Sequence, residues 1–488
     1  MPPLSLARSA TRLLRSLTHN QPRPIPNRRP FSVASIRSQT LLQHLQEREL
    51  VESVTGTSGD LENLIESNPI TTYAGVDPTA NSLHVGHLLP LMNLLHFYLN
   101  GHHSIALVGK ATASVGDPSG RTTERDSVES QRLQKAFDSI WRQIDGFFES
   151  AKKYALLRGY SEEKLGKREL VTNGEWLEGL GFVEFLSTVG RHVRVSQMLA
   201  RESVKGRMTT GQGINFAEFT YQLLQSYDFW HLHNKKNCRL QIGGNDQFGN
   251  ITAGIDLITK LRVPTTPETP STTPKKFDPA YGLTVPLLTT PSGAKFGKTA
   301  GNAVWLDPTL TSPFELYQFF VRLPDDVIGK YLKMFTLLPL STVSSVLEEH
   351  LTSPEKRRAQ HLLASEVVML IHGGEEAKRA ELQTKLLFPA PGETMKVSAR
   401  EILQLPGVVE VPRSEVVGEL VTKVARRIGV CKSKGEADNV VRGGGLYVGL
   451  GSEKVMDTKA KVEEEWLVDG EVLLVRFGKG KFCVVKVI

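Results

Sequence analysis

Cysteine is scarce in this chain. Its 488 residues hold three, Cys238, Cys431 and Cys483, far apart and without a CxxC pair. That spacing implies neither a disulfide framework nor a zinc site, and it suits a reducing compartment. Long apolar runs are also missing: none approaches the length of a membrane span. One stretch lacks acid and lysine altogether. Residues 1–46 contain no Asp, Glu or Lys but seven arginines: Arg8, Arg12, Arg15, Arg23, Arg28, Arg29 and Arg37. The whole chain counts 59 Lys and Arg against 52 Asp and Glu, a formal charge of +7, with a pI of about 9.1. Without those seven arginines, 52 basic residues face 52 acidic ones. Overall charge is therefore no argument for nucleic-acid binding by the remaining chain; only local clusters are. A hydrophobic share of 40% and a charged share of 23% describe a soluble globular chain, and its length predicts roughly two to four domains. No internal repeat is evident.

Residues 1–38 are Arg- and Ser-rich, free of acid and partly amphipathic through Leu4, Leu6, Leu13, Leu14 and Leu17. That is the composition of a mitochondrial transit peptide, with a basic RNA-binding arm as the alternative. Thr40 to Val54 reads as an amphipathic helix. Thr71 to Val76 then reads as a short buried strand. Asp77-Pro78-Thr79-Ala80-Asn81-Ser82 is turn chemistry. A helix is expected from Leu83 to Leu99, with Pro90 tolerable only near its first turn. Strand, polar turn and helix N-terminus together form an arrangement that receives phosphate, because free N–H groups and the helix dipole point at the anion. His84 and His87 face that place, with Gly86 between them allowing close approach.

His84-Val85-Gly86-His87 resembles the HIGH signature of class I aminoacyl-tRNA synthetases. The preceding Y-x-G-x-D-P-T-A, Tyr73 to Ala80, narrows the resemblance to tyrosyl-tRNA synthetases of the bacterial and mitochondrial type. Further stretches agree in order. Ser104 to Val108 reads as a second strand, and Gly116-Asp117-Pro118-Ser119-Gly120 matches the family's loop. Helical spacing puts Tyr221, Gln225 and Asp228 on one face of an otherwise apolar helix. After a strand at Arg239 to Ile242, Gly243-Gly244-Asn245-Asp246-Gln247-Phe248-Gly249-Asn250 resembles the tyrosyl form, whereas tryptophanyl relatives usually end it in His. A strand from Leu283 to Leu288 leads to Lys295-Phe296-Gly297-Lys298-Thr299, similar to the family's KMSKS loop.

The fold expected is α/β: a Rossmann-like, doubly wound parallel sheet over residues 39–305, ligands lying at the strands' carboxyl ends. A helical insertion at 127–205 implies, by resemblance, a homodimer interface. An α-helical anticodon-side domain with linker follows at 306–392. Residues 393–488 resemble a small α+β S4 RNA-binding domain: helices from Val421 to Ile428 and from Lys432, then a strand at Leu446 to Val448. Between Arg413 and Arg442 it carries seven basic and four acidic residues. The Pro/Thr-rich stretch 262–280 looks like an added surface insertion.

The resemblance implies ATP-dependent activation of L-tyrosine and transfer of tyrosyl to the terminal adenosine of tRNA(Tyr) in the mitochondrial matrix. Magnesium arrives with ATP, no protein-bound metal is required, and no membrane is involved. His84, His87, Thr79 and Gly86 are expected on the ATP phosphates, and Gly244 and Asp246 on the ribose. Lys295 and Lys298 are expected to meet the leaving pyrophosphate. Tyr73 and Asp228 would read the phenolic hydroxyl; Tyr221, Gln225 and Asp117 the α-ammonium; Gln247 the carboxylate; and Asp77 would support the pocket. Arg426, Arg427, Lys432 and Lys434 are the expected tRNA contacts. Some fungal mitochondrial relatives also assist intron splicing, and the N-terminal helix and the 262–280 stretch leave that second role open here.

Overall fold

The computed structural model describes residues 39–57, 59–119, 130–209, 213–261, 278–288, 303–388, 396–478 and 481–488. The chain opens with helix α1 (Leu41–Glu47), capped by the Thr40 side chain. The longer helix expected here stops because Glu49 takes a positive φ of 59°. Residues Ser53–Val54 are instead strand β1, antiparallel to a later strand. After α2 (Asp60–Ser67), β2 (Thr71–Val76) leads to a single 3-10 turn at Val85–His87 and then to α3 (Leu88–Leu99). Pro90 lies in the first turn of α3, where its missing N–H costs nothing. Nearly every α3 side chain is buried, so it is a core helix rather than an amphipathic surface one.

Next come β3 (His103–Val108), α4 (Lys110–Val115), α5 (Ser130–Leu157) and β4 (Arg168–Thr172). The predicted helical insertion thus contains a strand, because Ser104 to Val108 pair in parallel with Arg168 to Thr172. Short helices follow: α6 (Gly174–Leu177), α7 (Phe182–Thr188), α8 (Val195–Leu199) and α9 (Glu202–Thr209). Helix α10 (Phe216–Lys236), β5 (Cys238–Gly244), α11 (Phe248–Leu261) and β6 (Tyr281–Val285) complete the unit. The last strand begins two residues earlier than expected and ends before Pro286, which has no N–H for a ladder. The sheet order is β1-β6-β5-β2-β3-β4, all parallel except β1. Both faces of β2 and β3 are covered, as their apolar runs require.

Helices α12 (Pro313–Val321), α13 (Asp325–Phe335), α14 (Leu340–Thr352), α15 (Arg358–His372) and α16 (Gly374–Leu387) pack beside this sheet in one continuous core. The seam is gripped from two sides. The buried guanidinium of Arg48 donates to the carbonyls of Lys333 (3.0 Å), Thr336 (2.8 Å) and Leu338 (2.6 Å), the end of α13. From α5, the Tyr154 hydroxyl accepts from Leu337 N (3.1 Å) and donates to Glu366 (2.6 Å), which is also ion-paired with buried Arg158.

The C-terminal part holds α17 (Ala399–Ile402), β7 (Val408–Val411), α18 (Val421–Arg427), α19 (Lys434–Arg442), β8 (Leu446–Val448), β9 (Glu453–Val455), β10 (Leu467–Val468), β11 (Val472–Phe477) and β12 (Lys481–Val487). Their sheet runs β7-β12-β11-β8-β9, with β10 on β11. Ser433 caps α19, so this helix starts at Lys434 rather than Lys432. Valines dominate the core of this part. Among the described residues, no helix is long and apolar enough to cross a membrane.

Candidate active site

Taken in chain order, the five parallel strands β2 to β6 lie in space as third, second, first, fourth, fifth. The order reverses between β2 and β5, and helices leave in opposite directions there, opening a crevice at the carboxyl ends. A cavity of about 370 Å³ occupies that crevice. Its walls are the ends of β2, β5 and β6, the turn after β2, the His84–His87 turn and one face of α10.

At the His84–His87 turn, both histidine rings are held by backbone N–H groups of the turn. His87 Nδ1 accepts from His84 N (3.0 Å), and His84 Nδ1 accepts from Gly86 N (3.1 Å). With Nδ1 an acceptor in each ring, the neutral imidazole carries its proton on Nε2 and can donate it to an anion. The ring centroids are 3.9 Å apart. Thr79, Gly86, Gly244 and Asp246 line the same side.

On the other side a polar network is buried. Asp77 accepts from Thr112 Oγ1 (2.8 Å) and from the Tyr221 hydroxyl (2.8 Å), so both its oxygens serve the wall. Gly109 makes this possible: a Cβ there would come within 2.1 Å of Asp77 Oδ1. Burial, then the charge of Asp77, holds the Tyr221 phenol well above its usual pKa. Asp117 accepts from Gln247 Nε2 (2.7 Å), and Asn250 Nδ2 lies within 3.1 Å of both Gln225 and Gln247 carbonyl oxygens. At the floor, Asp228 accepts from Trp176 Nε1 (2.7 Å) and Asn173 Nδ2 (3.0 Å). Burial nevertheless pushes its carboxyl up to about 7, against those two donors. The Tyr73 hydroxyl is buried and has no hydrogen-bond partner among the described residues. Burial and then the Asp228 charge raise its pKa.

Residues 66–389 match the family model of class I tRNA synthetases of the tryptophanyl and tyrosyl group. The chain is 37% identical over 484 residues to the mitochondrial tyrosine–tRNA ligase of Saccharomyces cerevisiae, covering 98% of this chain and 94% of that one. The chain belongs to the class I tyrosyl-tRNA synthetase family. The mitochondrial tyrosine–tRNA ligase of Drosophila melanogaster is 38% identical, across 87% of this chain and 89% of its own. A crystal structure of a C-terminally truncated mitochondrial tyrosyl-tRNA synthetase from Aspergillus nidulans superposes with a TM-score of 0.66 at 40% identity, over 73% of this chain and 97% of that one.

Around this synthetase cavity the fold gathers Tyr73, Asp77, Thr79, His84, Gly86, His87, Asp117, Tyr221, Gln225, Asp228, Gly244, Asp246 and Gln247, from turns up to about 170 positions apart. Lys295 and Lys298 lie outside the described residues. On either side of them, Leu288 lines the cavity and Val304 O accepts from Val85 N (3.1 Å). Arg426, Lys432 and Lys434 are exposed on the C-terminal part, away from the cavity, and Arg427 there pairs with Glu415. Sequence reasoning missed Asn173, Trp176 and Thr112. The available signal was Asn173-Gly174 directly after β4, a polar turn at the carboxyl end of a parallel strand. Reading β4 as helix hid it.

Proposed function

We propose that this ligase activates L-tyrosine in the cavity between β2 and β5 and then transfers it to tRNA(Tyr). A tyrosine carboxylate oxygen attacks the α-phosphorus of ATP, the bond to the β-phosphate oxygen breaks, and pyrophosphate leaves. The 3′-terminal adenosine of the tRNA then attacks the tyrosyl carbonyl, and AMP leaves. The observation that carries the reading is the buried Tyr73 hydroxyl, without a partner among the described residues and placed where the Asp228 charge acts on it. A phenolic hydroxyl entering here completes a hydrogen-bonded set, whereas a phenyl ring leaves buried polar groups unpaired, and that is the costly case.

The remaining roles follow the chemistry of each group. Charge grows on phosphate oxygens during the first step, so positioned donors and cations are needed rather than a nucleophile. His84 and His87 donate to the phosphates through Nε2, Thr79 and Gly86 border them, and Gly244 and Asp246 hold the ribose. Lys295 and Lys298 meet the departing pyrophosphate, and magnesium enters as part of the ATP substrate. Asp117, Gln225 and Tyr221 receive the α-ammonium, with Gln247 near the carboxylate. Arg426, Arg427, Lys432 and Lys434 grip tRNA through an S4-like module.

The enzyme works as a homodimer in the mitochondrial matrix. Exposed Phe182 (66%), Val183 (78%) and Phe216 (67%) support an interface, because apolar side chains this exposed otherwise face water. The arginine-rich start and the mitochondrial relatives support the address. ATP–pyrophosphate exchange with each standard amino acid tests the central claim. Exchange driven by tyrosine alone is expected; exchange driven equally by phenylalanine or tryptophan overturns it.

A further inference from the structure

We propose that Trp305 is a positioning residue for His84, and that residues 304–306 act as a splint against the histidine turn. The proposal rests on the reading of the cavity above and goes beyond it, since Trp305 is no part of the cavity lining.

The backbone carries the argument. His84 and Trp305 form an isolated antiparallel bridge. The hydrogen bonds flank the pair rather than joining it: Val85 N donates to Val304 O (3.1 Å), and Leu306 N donates to Leu83 O (2.9 Å). In an antiparallel ladder that makes the two residues a non-hydrogen-bonded pair, the closer kind, with both side chains on one face. His84 and Trp305 therefore emerge side by side by construction. Their rings are 6.3 Å apart and inclined at 60°. His84 thus stands between Trp305 on one side and His87, 3.9 Å away, on the other.

The splint is itself anchored at both ends. Trp305 N donates to Thr311 Oγ1 (3.1 Å), and Leu306 is buried in the core. Asp307 N donates to Ser82 Oγ (3.1 Å). Ser82 and Leu83 N in turn donate to Gln143 Oε1 (3.0 Å each), so helix α5 clamps the turn from beneath. The hydrogen bond from Gly86 N holds the His84 ring at Nδ1, and the indole stands beside the same ring. A ring that must place Nε2–H on a developing charge gains most from such restriction, because misplacement by a fraction of its width weakens donation in the transition state.

A double-mutant cycle on the full-length enzyme tests this, read by tyrosine-dependent ATP–pyrophosphate exchange. Trp305→Ala is expected to lower kcat by about ten-fold while the KM for tyrosine stays within about two-fold. Trp305→Phe, which keeps an aromatic ring beside His84, should recover most of that loss. In a His84→Ala background, Trp305→Ala should cost less than about two-fold, because the group it positions is gone. Wild-type kcat in Trp305→Ala, or an undiminished loss in the His84→Ala background, overturns the proposal. If Trp305→Ala does not fold, Trp305→Leu runs the same cycle with the bridge and apolar bulk retained. Wild-type enzyme without any tyrosine-dependent exchange would instead refute the function proposed above.

Discussion

Around the first sheet, Tyr221, Asn173, Asp228 and Asn250 are buried and hydrogen-bonded: Asn173 donates to Asp228, Tyr221 to half-buried Asp77, and Asn250 to Gln225 and Gln247, whereas the second sheet buries valines and leaves its charges outside. Both are six-stranded, and both fold from short apolar runs. The contrast is in where polar groups sit. A buried polar network is costly unless every member is satisfied, and Tyr73, in the cavity wall, has no hydrogen-bond partner for its hydroxyl among the described residues. The second sheet carries pairs such as Arg413–Glu464 at half exposure, where water already solvates both partners. One region holds polar groups inside at a cost in stability; the other keeps an apolar interior and carries its charges on the outside.

The contrast is sharpest at the ion pairs. Glu366→Ala leaves the buried Arg158 without its partner and Tyr154 without its acceptor, so a loss of about 3–5 kcal/mol in chemical denaturation is expected. A loss under about 1 kcal/mol would place this pair with the surface ones.

Asp228 separates function from stability. Asp228→Asn should lower kcat/KM for tyrosine activation by about 10²–10³-fold, the worth of one or two hydrogen bonds to a charged group. Its carboxyl is pushed up to about 7 by burial, whereas the unfolded chain releases the proton near the ordinary carboxylate value. Between about pH 4 and 7 the folded state therefore binds more protons, and this residue's contribution to stability falls as pH rises. Thermal melts should show Asp228→Asn gaining on wild type from about pH 4 to 8; a constant difference would mean that the carboxylate is solvated.

The second sheet answers to salt instead. Neutralising Arg426, Arg427, Lys432 and Lys434 should leave pyrophosphate exchange nearly intact, weaken tRNA charging severely and flatten the salt dependence of tRNA binding by about three charges. The paired Arg427 is expected to contribute least of the four. Charging that is indifferent to all four would make this part a stabilising appendage.

Two smaller effects complete the ranking. Trp176→Phe removes one of two donors to Asp228 and should cost about ten-fold in tyrosine activation with little change in ATP KM. Glu464→Ala, on the exposed pair, should change stability by less than about 1 kcal/mol; a larger loss would erase the distinction between the two regions.

The sequence made the strand–turn–helix at Tyr73 to Leu99 legible because its turn residues, histidines and apolar spacing all agree. It also made the face of α10 legible, since Tyr221, Gln225 and Asp228 recur at helical spacing. Strand β4 was hidden: it sits at the sheet edge, most of its residues half-buried, and it follows a 28-residue helix whose periodicity dominates the window. Asn173 and Trp176 could not be assigned to Asp228 from sequence, because the contact spans 52 to 55 positions and exists only once β4 joins the sheet. Glu49 ended α1 early through its backbone angle, and nothing in an amphipathic pattern announces that. Trp305 carries no signal in the sequence, because its bridge to His84 exists only in the fold.

The grip of Arg48 on the end of α13 limits how far the chain's start can be shortened. Cutting past Thr40 uncaps α1, and cutting past Arg48 strips the donor from three main-chain carbonyls and takes the fully buried Leu45 out of the seam. A chain shortened past Arg48 would lose the joint between its nucleotide fold and its helices before it met a substrate.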